Sequence, residues 1–86
     1  MPLHKIPKIE VGRAVQVNWL DIITEPNWVS KEAFIEQEPI ECIIVGIWMP
    51  PGQRCIHIAS NINENSCDGT TIPIGCVLRI KVIGHA

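Results

Sequence analysis

The pair Cys55-x-His57 is the part of the sequence whose residue types could carry chemistry. Residues two apart on a β-strand point to the same side, and a thiolate with an imidazole can share a soft metal such as zinc. Two ligands do not make a zinc site, and no CxxC or HxxxH motif accompanies them. Further ligands would have to come from the other cysteines, which are Cys42, Cys67 and Cys76. The sequence therefore favours small, buried or half-exposed thiols over a metal centre, and it predicts no metal and no other cofactor.

Catalysis by the same pair would need more than proximity in sequence. A Cys–His nucleophile requires hydrogen-bond contact between thiol and imidazole, a third group that orients the imidazole, and an oxyanion hole. Same-strand neighbours spaced by two rarely meet that geometry. The carboxylates that could form an acid–base pair are Asp21 with Glu25, or Asp21 with Glu36 and Glu38. Nothing indicates a desolvated pocket between these carboxylates, so the sequence predicts that the chain is not an enzyme.

A second possible function of the side chains is to bind a ligand or partner through aromatic rings. The aromatic residues are Trp19, Trp28, Trp48 and Phe34. Trp19 lies in an alternating strand pattern and is expected to be buried. Trp48 stands next to Met49 and the turn Pro50-Pro51-Gly52, and it is the tryptophan expected to be exposed. An exposed tryptophan there would form a self-association patch or a stacking platform for a planar ligand. The alternative is a tryptophan that caps one end of the fold.

Cationic residues are spread along the chain rather than clustered. Seven Lys and Arg against nine Asp and Glu give a net charge of −2 and a pI near 5.8, so no basic field exists to neutralise phosphates. Nucleic-acid binding is therefore not expected. Folding could still gather Arg54, Arg79 and Lys81 into a small anion site. The residues predicted to bind a ligand or partner are Trp28, Trp48, Arg54, His57 and Arg79.

Length and segment composition predict a small soluble domain. A chain of 86 residues forms one domain that buries only about 60–65% of its unfolded surface, so a second copy would add stability. The N-terminal sequence MPLHKIPKIE has no apolar signal region, and no run reaches the roughly 18 apolar residues needed to span a bilayer. An intracellular chain with reduced cysteines and no membrane partner is expected.

A hairpin over residues 40–60 is predicted to be the element against which the rest packs. The runs IECIIVGIWM and RCIHIAS flank a Pro/Gly turn. If Met49 pairs with Arg54, then Trp48 lies opposite Cys55. Alternation then places the odd-numbered residues of the first run on the core face with Ile56 and Ile58, and the even-numbered ones on a mixed, semi-polar face.

The remaining elements are predicted to be short. Residues 1–11 form a tail or an extended arm on a neighbour, and residues 12–86 form the domain. Residues 13–22 form a half-buried strand, and Ser30 caps one or two helical turns with Phe34 packed inward. Residues 61–71 are predicted to be a polar loop, 73–75 a bend or single 3₁₀ turn, and 77–83 a closing strand.

The bias of the composition favours strands over helices. Sixteen isoleucines stand against three leucines, and β-branched residues fit strands. About five short strands in one small domain are typical of a sheet that closes on itself to limit exposed edges. The predicted fold class is all-β, a small half-open SH3-like barrel of about five strands with one short helical turn.

At this point the sequence resembles a family of small uncharacterised proteins found in tailed phages and prophages. The motifs that carry the resemblance are Val17-x-Trp19-x-Asp21, Trp28 ahead of an acidic helical turn, Ile44-x-Gly46 and Ile72-Pro73-x-Gly75. It covers roughly residues 13–84. The resemblance implies an SH3-like barrel and a phage gene product that works in the bacterial host cytoplasm or within the virion. It implies no catalytic or binding residue.

Three classes of function are compatible with these observations. The first is a self-associating binding module, a homo-oligomer that binds a host protein or sequesters a small anionic host signalling molecule as an anti-defence protein. The second is a minor virion structural or head-decoration protein, which predicts residues 1–11 on an adjacent chain. The third is an enzyme, for which no motif exists. Sequestration predicts a pocket rimmed by Trp48 or Trp28, with Arg54 or Arg79 reaching an anion. The first class is the one that the sequence favours.

Overall fold

Strands form where β-branched residues alternate with polar ones, and they end at Pro, Asn and Gly. The computed structural model of the chain describes residues 2–24 and 26–85. Its elements are β1 (Arg13–Asp21), α1 (Lys31–Ile35), β2 (Ile40–Trp48), β3 (Cys55–Ile62), β4 (Cys67–Pro73), a 3₁₀ turn (Ile74–Cys76) and β5 (Val77–His85). The strands make one antiparallel sheet in the order β4-β3-β2-β1-β5. The all-β prediction, with five strands and one short helical turn, is confirmed, whereas closure into a half-open barrel stays a prediction.

Strand β1 runs through the middle of one half of the sheet and supplies the centre of the core. It pairs with β2 on one side and with β5 on the other, so Val17 lies between Ile44 and Ile80. Every second residue of β1 faces the core, as period-two alternation requires. The fully buried apolar cluster comprises Val15, Val17, Trp48, Ile56, Ile58, Ile72 and Val77.

The β2–β3 hairpin is paired three residues away from the predicted register. Trp48 lies opposite Ile58 instead of Cys55, and the amide of Met49 donates to the carbonyl of His57 (3.1 Å). The prolines and Gly52 form a six-residue connection over 49–54, which is longer than the predicted four-residue turn. A shift by an odd number exchanges the faces of one strand relative to the other.

The correction to the core follows from that register. Ile56 and Ile58 are buried as predicted, but they share the core with the even-numbered side of β2, which carries Trp48. The odd-numbered Ile43 and Val45, predicted to be core, are 62% and 56% exposed. Burying the larger indole removes more apolar surface from water than burying either aliphatic side chain, which favours the observed register.

Residues 67–71 form the first part of β4, where the sequence predicts a polar loop. Thr70 and Thr71 pair with Ile58 and His57, so this polar edge strand is held by β3. The connection between β3 and β4 is therefore only residues 63–66. There the side-chain oxygen Oδ1 of Asn63 accepts hydrogen bonds from the backbone amides of Asn65 (3.1 Å) and Ser66 (2.8 Å). A side chain that satisfies the turn in this way stabilises a tight hairpin.

Close backbone approach between β3 and β4 at Gly69 gives a first testable prediction. A Cβ atom added there would press on the carbonyl oxygen of Ile58 and lie 2.8 Å from the Cα of Ala59. We expect Gly69→Ala to lower the free energy of unfolding by about 1–3 kcal/mol, because the backbone must move. Gly75→Ala is the matched control, because its Cβ would meet nothing within 4 Å. Urea denaturation of both variants measures the difference, and equal effects would contradict this packing.

The N-terminal segment lies on the core of its own chain. Leu3, Ile6 and Ile9 pack against the buried cluster, and the amide of Leu3 donates to the carbonyl of Val77 (2.8 Å). The described part of the predicted tail, residues 2–11, therefore contributes to the packing of its own chain, and an arm on a neighbouring chain stays a prediction.

Candidate functional site

The three tryptophans differ in exposure, and the exposure of Trp48 is not the one that the sequence predicts. Trp48 is 1% exposed and belongs to the core, so the prediction of an exposed Trp48 is wrong, because the observed register turns it inward. Trp19 is half-buried against the core, and its Nε1 is buried with no hydrogen-bond partner among the described residues. Trp28 is fully exposed. It is the tryptophan available to a partner.

Trp28 belongs to the segment 22–39, which we call the β1–β2 connection. Every described residue from 22 to 36 is exposed, and α1 buries none of its five residues. Ser30 is the helix N-cap, since its Oγ accepts from the amide of Ala33 (3.0 Å), as predicted. Phe34 is 56% exposed rather than packed inward, because a helix of five residues stands apart from the sheet.

Apolar side chains dominate the exposed surface of the β1–β2 connection. They are Ile22, Ile23, Trp28, Val29, Phe34 and Ile35. Trp28 and Phe34 line a shallow groove of about 460 Å³. The radius of gyration is 15.3 Å, whereas a compact domain of this length has about 12 Å. A large exposed apolar patch on a small domain marks an interaction site.

Charge separates the β1–β2 connection from the rest of the chain. Its sequence contains one lysine and four glutamates, whereas the other residues contain six Lys and Arg and five Asp and Glu. The connection is therefore acidic, whereas the five strands are neutral, with three Lys and Arg against three Asp and Glu. This asymmetry is hidden in the overall net charge of −2.

The side of β2-β1-β5 that points away from the core, here called the outer face, has an ordered composition. One row across the three strands is Ile43, Asn18 and Arg79, and the next is Val45, Gln16 and Lys81. Cross-strand partners share a face of the sheet. These two rows are therefore apolar on β2, amide-bearing on β1 and cationic on β5, and the next row adds the carboxylate Glu41 of β2 and Leu20 of β1.

A hydrogen-bonded network around Asn18 lies at the centre of the outer face. Asn18 is 2% exposed, and its Nδ2 donates to Glu41 Oε2 (3.2 Å) while its Oδ1 accepts from Gln16 Nε2 (3.4 Å). Arg79 Nη2 lies 3.9 Å from the same carboxylate oxygen of Glu41. The buried amide is satisfied, so it fixes the side chains around it. Sequence reasoning missed Asn18 and Glu41, because their contact depends on the pairing of β1 with β2.

Strand β2 leaves part of its edge open beside this face. It pairs with β1 from Ile40 to Ile47, but with β3 only through Ile47 and Trp48. On the β3 side, residues 40–46 have no ladder partner within the described chain. Ile43 and Val45 are exposed because they point away from the core, and the open edge beside them can pair with another chain.

The candidate nucleophile pair is closer to a catalytic arrangement than its spacing suggests. Cys55 Sγ lies 3.7 Å from His57 Nε2, and His57 Nδ1 lies 2.9 Å from Thr71 Oγ1. The imidazole of His57 thus contacts the thiol through one ring nitrogen and the Thr71 hydroxyl through the other. Sequence reasoning could not include Thr71, because the strand that carries it was predicted to be a loop. The described residues contain no group of three or more His, Cys, Asp or Glu side chains placed to hold a metal ion, and all four cysteines are free.

The other predicted ligand-binding residues do not converge. His57 lines a groove of about 430 Å³ with Met49, Asp68 and Thr70, and neither Trp48 nor an arginine belongs to its lining. Arg54 lies in the connection between β2 and β3, away from the rows that hold Arg79 and Lys81. The groove at Trp28 is lined by Lys31 as its cation instead of Arg54 or Arg79. Neither of these two grooves combines a tryptophan with an arginine, and the anion pocket stays a prediction.

None of the described carboxylates considered as acid–base partners is buried. Asp21 is half-exposed at the end of β1, and Glu36 and Glu38 are exposed in the β1–β2 connection. Glu25 lies outside the described residues.

Comparison with protein-family models, with curated proteins and with solved structures found no match for this chain. The resemblance to a phage family therefore stays a prediction. Within the described residues, no helix is long and apolar enough to cross a membrane.

Proposed function

We propose that this chain is a non-enzymatic binding module that works as a self-associated assembly, with the β1–β2 connection as its protein-binding surface. The observation that carries the proposal is the fully exposed Trp28 within a segment whose described residues 22–36 are all exposed. Six large apolar side chains in one short segment raise the free energy of an isolated chain in water, and covering them supplies the driving force for association.

The biological setting of the proposal is a phage that infects bacteria. In that setting the assembly binds a host protein or sequesters a small host signalling molecule in the host cytoplasm. The support for this part is the family resemblance of the sequence.

A direct test of the binding surface is Trp28→Ser. We expect the wild-type chain to associate reversibly and the variant to associate about 30-fold more weakly, because a buried tryptophan at the centre of an interface typically contributes 2 kcal/mol or more. Sedimentation velocity over a dilution series measures both.

Val11→Ser is the control for that test, because Val11 is also exposed, at 53%, but lies outside the β1–β2 connection. The control should associate like the wild type. A wild-type chain that sediments as a single chain at every concentration contradicts the proposal, and so does a Trp28→Ser variant that associates unchanged.

A minor virion component is the second candidate, and the open edge of β2 at residues 40–46 is the observation that favours it. An unpaired edge can grip a neighbouring subunit by strand addition. The N-terminal segment, which this role would place on an adjacent chain, packs on its own core. Mass spectrometry of purified virions separates the two roles: stoichiometric recovery of the chain in virions supports the second, and recovery only in the infected-cell lysate supports the first.

A further inference from the structure

We infer that the β1–β2 connection of one chain docks on the outer face of a second copy, and that the two copies exchange connections. This inference rests on the proposed self-association and adds the receiving surface and the partner. The juxtaposition behind it is an acidic apolar segment and a sheet face on which Ile43 and Val45 lie beside Arg79 and Lys81, on the same chain.

The apolar parts of the two surfaces match in kind. Ile35, at 75% exposure, follows Glu32 by three residues and therefore lies on the same side of α1 as that carboxylate, and Ile43 and Val45 lie on the exposed side of β2. Aliphatic side chains on an open sheet face can receive another aliphatic side chain with little rearrangement. Docking there would cover apolar surface on both partners at once.

The charged parts of the two surfaces match in sign. Glu32 and Glu36 lie one helical turn apart on and next to α1, whereas Arg79 and Lys81 lie two residues apart on the same side of β5. Arg79 is held only by a 3.9 Å contact to Glu41, with 68% of its side chain exposed. An exposed contact of this kind contributes little, so Arg79 can take a new carboxylate partner.

A second copy fits these surfaces better than an unrelated partner because one chain carries both halves of the contact. Two copies related by a two-fold axis each donate a connection and each receive one, which closes the assembly. The surfaces available to each contact include six exposed large apolar side chains of a connection and the exposed Ile43 and Val45 of an outer face.

The test reverses charge on each surface separately. Variant A carries Arg79→Glu and Lys81→Glu, so its outer face and its connection are both acidic. Variant B carries Glu32→Lys and Glu36→Lys, so its connection and its outer face are both basic. All four residues are exposed, so both variants are expected to fold, which circular dichroism checks. Each variant alone should associate at least about tenfold more weakly than the wild type, because like charges then face each other.

Association measured after the two variants are mixed is the decisive result. In a mixed pair, each acidic connection meets a basic face and each basic connection meets an acidic face, so association should return to the wild-type level. Native mass spectrometry identifies the mixed assembly by its mass. Recovery of mixed assemblies, with neither variant assembling alone, supports the inference.

The contradicting outcomes are separable. Variants that each assemble like the wild type, or variants that remain single chains after mixing, overturn the docking face while self-association itself stands. A wild-type chain that never associates overturns the proposed function together with this inference. Association of the wild type only with a different protein, and not with itself, also overturns the inference, because the inference requires a second copy.

Discussion

Trp48→Ala is expected to lower the free energy of unfolding by about 3–5 kcal/mol, as large core-truncating substitutions of aromatic residues do. A domain of this size has a total stability of roughly 4–13 kcal/mol, so the variant should be largely unfolded or close to it. The reason is the position of Trp48, which is 1% exposed and packs with Ile58 and the other residues of the buried cluster. Urea denaturation followed by far-ultraviolet circular dichroism measures the change.

Trp28→Ala is the matched control for that experiment, because it removes the same side chain from a fully exposed position. It should change the free energy of unfolding by less than about 0.5 kcal/mol at concentrations where the chain is not associated. A folded, stable Trp48→Ala chain with impaired binding would show that Trp48 is a surface residue and would contradict the register of the hairpin.

Replacing Phe34 and Ile35 together by serine is expected to have the largest effect on association. Both side chains are exposed on α1 and both would be covered in the assembly. We expect the dissociation constant to rise by about 100-fold or more, because two anchors of one contact are lost. The unfolding of the dissociated chain should be unchanged within about 0.5 kcal/mol. Sedimentation velocity and urea denaturation of the same preparation measure the two quantities.

The double variant therefore separates binding from folding. Ile62→Ser is its control, because Ile62 is 52% exposed near the end of β3 and outside both proposed surfaces. Loss of stability in the Phe34→Ser and Ile35→Ser chain would show that α1 supports the fold. Unchanged association would remove α1 from the interface.

The elements of the fold could be predicted because their signals are local. Period-two alternation over residues 13–22 and 77–83 marks strands β1 and β5, and the Pro and Gly after Ile72 mark the 3₁₀ turn. Ser30 marks the start of α1, since its side chain satisfies an amide of the first turn. Each of these depends only on residues close in sequence.

The hairpin register could not be predicted, because it depends on how many residues the turn uses. Six residues separate β2 from β3, and this number decides whether Trp48 or Ile43 enters the core. Both faces of β2 are apolar, so the sequence pattern does not distinguish them. The wrong register places Trp48 on the surface, and Trp48 is for that reason predicted to be a binding residue.

The candidate site was predicted only in part, because surfaces are assembled by long-range pairing. Trp28 and Arg79 are exposed, as a binding role requires, while Trp48 is buried and Arg54 lies apart. Asn18 could not be identified from sequence, because its burial on the outer face depends on Glu41 of the next strand. The acidic composition of residues 22–39 is the sequence signal that would have located the β1–β2 connection.

Native mass spectrometry of the intact chain over a range of concentrations tests self-association most directly. We expect species at multiples of the 9.6 kDa chain mass to grow with concentration, with an even number of chains as two-fold exchange of connections requires. A single species at 9.6 kDa from the lowest to the highest concentration would contradict self-association.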